Sequence, residues 1–252
     1  MNPRASVGTN SRKSSASCIS EACRVEMLQH MHTAIQGTSL LLEEIQNDLP
    51  MSSEGAFKTL IGTMLSVRSR DETTSKVLEK LWAVYSTPKA LAMAPIEEIE
   101  ELIRSSGPFH QKAQRIQETA AIIHHQYQDQ VPRSRELLME FPGVGRKVAN
   151  CVLVNAFQIP AIPVDTHVHR IANRTGWVTT LTPEKTEFAL ESLFPQSSWL
   201  ILNYALVAFG KMICKPINPL CSKCPVEDRC LKRINPPSTK RSKKITQKLS
   251  RI

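Results

Sequence analysis

Long apolar runs are missing from this chain. Nothing in its 252 residues approaches the roughly 20 consecutive apolar positions that a bilayer-crossing helix needs, which excludes a protein threaded through a membrane by helices. The amino end also lacks the apolar core of a secretory signal. Its Arg, Lys and Ser content before Glu21 matches a transit peptide in composition but not in amphipathic pattern, so residues 1–24 are expected to form a flexible arm. Period-two alternation is scarce too. The one short β-branched stretch, Ile159 to Val164, is interrupted by Pro160 and Pro163. Acid is nearly absent from the last fifth: residues 200–252 hold 12 Lys and Arg against only Glu227 and Asp228, while residues 1–199 balance 20 against 21. A local field of that sign draws in polyanions, either nucleic acid or an anionic membrane surface.

What is present is helical periodicity. Phe57, Leu60, Ile61, Met64 and Leu65 fall on one helical face, and Val77, Leu78, Leu81, Trp82 and Tyr85 repeat the pattern. Further helices are expected near 95–104, 111–127, 134–140, 146–157, 167–176, 183–194 and 198–212. Ser134 and Thr182 are placed to cap two of them, with Pro183 at a favourable first position. The fold class is therefore all-α. From Lys232 onward there are eight Lys and Arg, no acid and the Pro236-Pro237 pair, which reads as a basic disordered tail over 235–252.

Four of the seven cysteines, Cys214, Cys221, Cys224 and Cys230, are separated by six, two and five residues in a segment with little apolar content. Such a set binds zinc or an iron–sulfur cluster, or oxidises to two disulfides. The helical body and missing signal peptide argue against disulfides. One Cys-x2-Cys flanked by wider gaps is unlike the paired Cys-x2-Cys of most zinc sites and leans toward the cluster.

Residues 138–150 read LMEFPGVGRKVAN: a short helix stopped by Pro142, a turn on Gly143-Val144-Gly145, and a second helix beginning near Arg146. The two glycines allow turn dihedrals closed to other residues and leave backbone N–H groups bare. With the positive end of the next helix they form a seat for phosphate. Lys147 lies in that first turn, where the helix dipole and Arg146 should disfavour its ammonium form and leave a nucleophilic amine; a simple phosphate contact is the plainer role. Asp165, in PVDTH at 163–167, is either an N-cap or a catalytic carboxylate.

These stretches, FPGVGRKVAN at 141–150, VDTHVHRIANR at 164–174 and CKPINPLCSKCPVEDRC at 214–230, resemble the endonuclease III family of DNA glycosylases. The family belongs to the helix-hairpin-helix superfamily and carries a C-terminal iron–sulfur loop, and the resemblance spans most of 40–232. It implies two helical domains flanking a DNA-binding cleft: a six-helix barrel at 50–160, with the hairpin near 134–157, and a cluster domain from 25–49 plus 161–234. It implies Lys147 as amine nucleophile, Asp165 as essential carboxylate, and Cys214, Cys221, Cys224 and Cys230 as ligands of [4Fe–4S]. The implied activity is removal of oxidised pyrimidines from double-stranded DNA and cleavage 3′ to the abasic site by β-elimination. The partner is damaged duplex DNA and not a membrane. A monomer is expected, cytoplasmic and nucleoid-associated, or nuclear or organellar in a eukaryote.

Two positions leave the family pattern. Arg68 stands where well-known members carry a Gln that fills the gap left by the flipped nucleotide, and its guanidinium could read guanine edges there or clamp a phosphate. Pro108 replaces a wedge Leu, which makes Phe109 the candidate wedge. DNA contacts are thus expected from Arg68, Phe109, Gly143, Val144, Gly145 and Arg146. His167 is expected to support the Asp165 region or the contact between the domains, and Cys151 to be a buried small apolar residue. Two other readings stay open: a glycosylase for uracil or thymine opposite guanine, and a noncatalytic DNA-binding protein.

Overall fold

A computed structural model describes residues 20–36 and 52–234. Among them are eleven α-helices and no strand. The helices are α1 (Glu21–Thr33), α2 (Ser53–Ser66), α3 (Asp71–Val84), α4 (Pro88–Ala92), α5 (Ile96–Ile103), α6 (Phe109–Tyr127), α7 (Arg135–Met139), α8 (Arg146–Phe157), α9 (Thr166–Thr175), α10 (Pro183–Leu193) and α11 (Trp199–Met212). Most of the expected helices appear within two residues of their anticipated ends. Ser134 and Thr182 each accept a backbone N–H at the start of α7 and α10. No helix is expected from the sequence at α4, a single turn capped by Thr87 with Pro88 at its start, because five residues are too few to display a period.

Apolar side chains gather into two separate cores. The first runs from Ala56 to Ala161 and joins α2 through α8, with Phe57, Leu60, Ile61 and Leu65 of α2 fully buried at its centre. The second combines Met27, Leu28 and Met31 of α1 with residues from Ile162 to Val226. The chain therefore passes from one core to the other between Ala161 and Ile162. The arm expected over residues 1–24 lies outside the described residues up to 19. Its last four residues are already helix, since Ser20 caps Cys23 and Arg24 turns inward to donate two hydrogen bonds to the Leu193 carbonyl at the end of α10. The segment 37–49 and the tail 235–252 also lie outside the described residues.

Polar ties cross between the cores. Lys211 of α11 pairs with Asp71 at the start of α3, while Asn203 of α11 braces the second core's own entry by donating to the Pro163 carbonyl at 2.7 Å. Glu187 of α10, buried, accepts from Arg135 of α7 at 3.0 Å and from Arg146 and Asn150 of α8 at 2.9 Å each. A buried carboxylate held by two guanidinium groups is costly to break, since removing either side leaves charge stranded. These contacts tie α10 to α7 and α8, and α11 to α3.

Candidate active site and cysteine loop

The hairpin between α7 and α8 begins where Pro142 ends the first helix. Gly143 has φ +78, a backbone that L side chains rarely adopt, and the atom a Cβ would approach to 2.6 Å is Cδ of the flexible Arg115 side chain, so it is the turn that requires glycine. Gly145 differs from expectation. Its φ of −92 is ordinary extended backbone, and an added Cβ would meet nothing within 4 Å. What its missing side chain supplies is open approach to the positive end of α8. Val144, expected at the DNA, is buried in the first core with its N–H donated to the Phe141 carbonyl at 3.0 Å. It anchors the turn from within, and the exposed seat reduces to Gly145 and the first turn of α8.

Lys147 and Asp165 come from different cores and line the same cavity of about 320 Å³, together with Arg68, Asp71, His167, Asn203 and Lys211. That volume is in the range of small-ligand sites. Asp165 is indeed the N-cap of α9: one oxygen, Oδ1, accepts from the N–H groups of His167 at 2.8 Å and Val168 at 2.9 Å. Capping with one oxygen leaves the other for the cavity.

Lys147 shares a hydrogen bond with the Cys151 thiol one turn further along α8. Its pKa is held above the ordinary lysine value, first by Cys151 in its ionised form, against burial, which pulls it down, and then by the carboxylates of Asp165 and Asp71. Burial pushes the Cys151 thiol up, so near neutral pH that thiol is uncharged and Asp165 becomes the strongest support of the ammonium. The expected lowering by Arg146 does not occur. Arg146 spends its Nε on Glu187 and lies over the ring of Phe188 at 4.6 Å, which neutralises its field at the lysine. His167 has its pKa lowered by burial, opposed by Asp165 and reinforced by Arg170 and Lys211. It is therefore a neutral ring beside the carboxylate.

Arg68 is exposed at the end of α2 with φ 57 and borders both this cavity and a second one of about 280 Å³, lined by Gln111, Arg115 and Gly143 among others. A left-handed backbone at a non-glycine residue costs energy and persists only where neighbours impose it. Here the imposing group is Lys112, buried in α6, whose ammonium donates to the carbonyls of Leu65 and Ser106 and to Ser69 Oγ. One lysine thus ties the Arg68 loop to the loop before Pro108. Phe109, the expected wedge, does not project. It packs against the first core and against His110, and Pro108 is the exposed residue.

Cys214, Cys221, Cys224 and Cys230 all line one cavity at the end of the second core. Among the described residues no three His, Cys, Asp or Glu side chains converge as a single metal ion would require. A lone tetrahedral ion needs four sulfurs about 2.3 Å from one point. Four thiols lining one cavity are a donor set whose chemistry suits zinc or an iron–sulfur cluster. The loop is strapped to α9 by two arginines. Arg170 donates to the Cys214 and Gly210 carbonyls, and Arg174 to the carbonyls of Lys215 at 2.6 Å and Pro216 at 2.7 Å and to Cys214 Sγ at 3.6 Å.

A family model for HhH-GPD superfamily base excision DNA repair proteins matches residues 61–196. Endonuclease III of Thermotoga maritima is 52% identical over 174 residues, covering 69% of this chain and 82% of the relative. This chain belongs to the endonuclease III family. The fold agrees: a trapped covalent intermediate of an endonuclease III with DNA superposes with a TM-score of 0.75 at 33% identity, covering 84% of this chain and 96% of that one. A thermostable thymine-DNA glycosylase superposes at 0.71 with 25% identity, covering 82% and 94%. The all-α architecture is thus the helix-hairpin-helix glycosylase fold. In this endonuclease III homologue the hairpin, Lys147 and Asp165 fall inside the matched span, whereas the cysteine loop follows it.

Proposed function

We propose that this endonuclease III-family protein removes oxidised pyrimidines from duplex DNA and cuts the strand 3′ to the resulting abasic site. It is a bifunctional glycosylase and AP lyase that acts on damaged bases. The observation that carries the reading is the pairing of Lys147 and Asp165, one from each core, in one cavity.

The chemistry follows from that pairing. A nucleotide turned out of the duplex brings its sugar between the two side chains. Lys147 gives up a proton, which the Asp165 carboxylate on the same cavity wall relays to the departing base so that the carboxylate stays ionised, and its neutral Nζ attacks C1′ as the base leaves. The unspent oxygen of Asp165 faces the positive charge growing on the sugar, and its other oxygen, fixed by two N–H groups of α9, keeps the carboxylate from swinging away. Ring opening gives an imine to Lys147, which acidifies the C2′ proton. Loss of that proton expels the 3′ phosphate, and hydrolysis returns the lysine. The hairpin seat at Gly145 and Arg146 holds backbone phosphate without reading sequence.

Cys214, Cys221, Cys224 and Cys230 hold a [4Fe–4S] cluster in this reading. When bound, the group supplies a structural tie across the loop and no redox step. The protein works where DNA is held: the cytoplasmic nucleoid of a bacterium, or the nucleus or an organelle of a eukaryote.

Borohydride treatment on abasic duplex tests the central claim. Wild type should give a stable protein–DNA adduct and Lys147→Ala none; an undiminished adduct in the variant overturns the assignment. A panel with thymine glycol, dihydrouracil, and uracil or thymine opposite guanine tests the substrate class. Arg68 at the cavity lip favours the mismatch reading as second choice, and faster release of mismatched thymine than of thymine glycol would put it first.

A further inference from the structure

The hairpin's phosphate seat is half built by the other domain. Arg146 is the first residue of α8 and follows Gly145, whose open side leaves the helix end approachable. A surface arginine at such a place ordinarily samples many rotamers. This one does not, because α10 of the second core holds it in two ways. Glu187, with a side chain only 3% exposed, takes the Arg146 Nε at 2.9 Å. Phe188, the next residue and half exposed, lies under the guanidinium at 4.6 Å. The two terminal nitrogens carry no hydrogen bond from the described residues, so the outer edge of a fixed planar fork is left for an anion. Glu187 is itself immobilised by Arg135 at 3.0 Å and Asn150 at 2.9 Å.

We propose that Glu187 and Phe188 are positioning residues for DNA binding: they set Arg146 beside the helix end so that one phosphate meets backbone N–H groups and guanidinium together. The proposal rests on the reading of the hairpin as a phosphate seat. The entropy of ordering the arginine is spent on folding, before DNA arrives. It also makes the seat depend on how the two cores are docked, since α10 belongs to one and α8 to the other.

The test is a double-mutant cycle on the dissociation constant for an undamaged duplex, measured at several salt concentrations. Arg146→Ala should weaken binding and reduce the salt slope by about one, as expected for one lost phosphate contact. Phe188→Ala alters a half-exposed side chain and should leave the fold intact. It should weaken binding about three- to tenfold, the worth of ordering one rotamer-rich side chain, with little change in slope because the charge remains. In the Arg146→Ala background it should have no further effect, and Phe188→Tyr, which keeps the ring, should bind like wild type. The single-turnover rate at saturating DNA should stay unchanged in Phe188→Ala. If Arg146→Ala binds normally, the seat itself is misread. If Arg146→Ala weakens binding but Phe188→Ala does not, or weakens it equally in both backgrounds, the seat stands and the positioning role is overturned.

Discussion

Gly143 and Gly145 are two residues apart and do different work. Gly143 has a backbone that side-chain-bearing residues resist and lies against Arg115. Gly143→Ala should therefore lower stability by about 1–3 kcal/mol, seen as a lower urea midpoint. Gly145 has neither constraint, so Gly145→Ala should keep the midpoint within about 0.5 kcal/mol yet weaken duplex binding, because a methyl group then stands at the helix end. Equal effects of the two variants on both readouts would contradict this division. Lys112 gives a pH signature. Burial lowers its pKa from 10.5 to about 8, so between those values the unfolded chain holds a proton that the folded chain has released. Stability relative to a Lys112→Met variant should thus be flat below pH 8 and rise as the pH climbs toward 10.5. Paired urea melts across that window measure it. A difference that shrinks instead would mean that the three oxygens around the ammonium outweigh its desolvation.

At the scale of elements, the cysteine loop illustrates how little a segment can contain and still be ordered. Val226 is its one fully buried apolar residue between Cys214 and Cys230. The side chains of Arg170 and Arg174 pin its first residues, from Cys214 to Pro216, and at its far end the Cys230 thiol donates to the Arg174 carbonyl at 3.6 Å. Anaerobically purified protein should contain about four irons per chain. Cys221→Ala should lose them and become open to protease within 214–230 while keeping its helical content. One zinc and no iron would contradict the cluster.

Elements also show what the sequence could and could not disclose. Caps such as Ser134 and Thr182-Pro183 are local, so their helices were legible. Arg146 was read as a free charge acting on Lys147 because its partner, Glu187, lies 41 positions later. Lys112 carried no signal at all, since two of its three acceptors are main-chain carbonyls. Phe109 read as a wedge from its position in the loop, but only packing could reveal that it turns inward.

Over the whole molecule, the two cores make the active cavity a joint product. Phe57 is fully buried in the first core and Phe209 nearly so in the second. Replacing either by Ala should cost about 3–5 kcal/mol and lower the temperature at which borohydride trapping fails, although neither side chain lines the cavity. Trapping that persists in Phe209→Ala above the temperature where hydrogen exchange shows the second core open would mean that one core suffices.

The passage of the chain between Ala161 and Ile162 therefore acts like a logical conjunction. Lys147 is on one side of it and Asp165 on the other. A chain emerging from synthesis, or half melted, holds the amine without the partner that orients its attack. Until α10 docks, the hairpin also lacks the contacts that set Arg146, so grip and blade are completed together. For an enzyme whose product is a broken strand, assembly is then the safety catch.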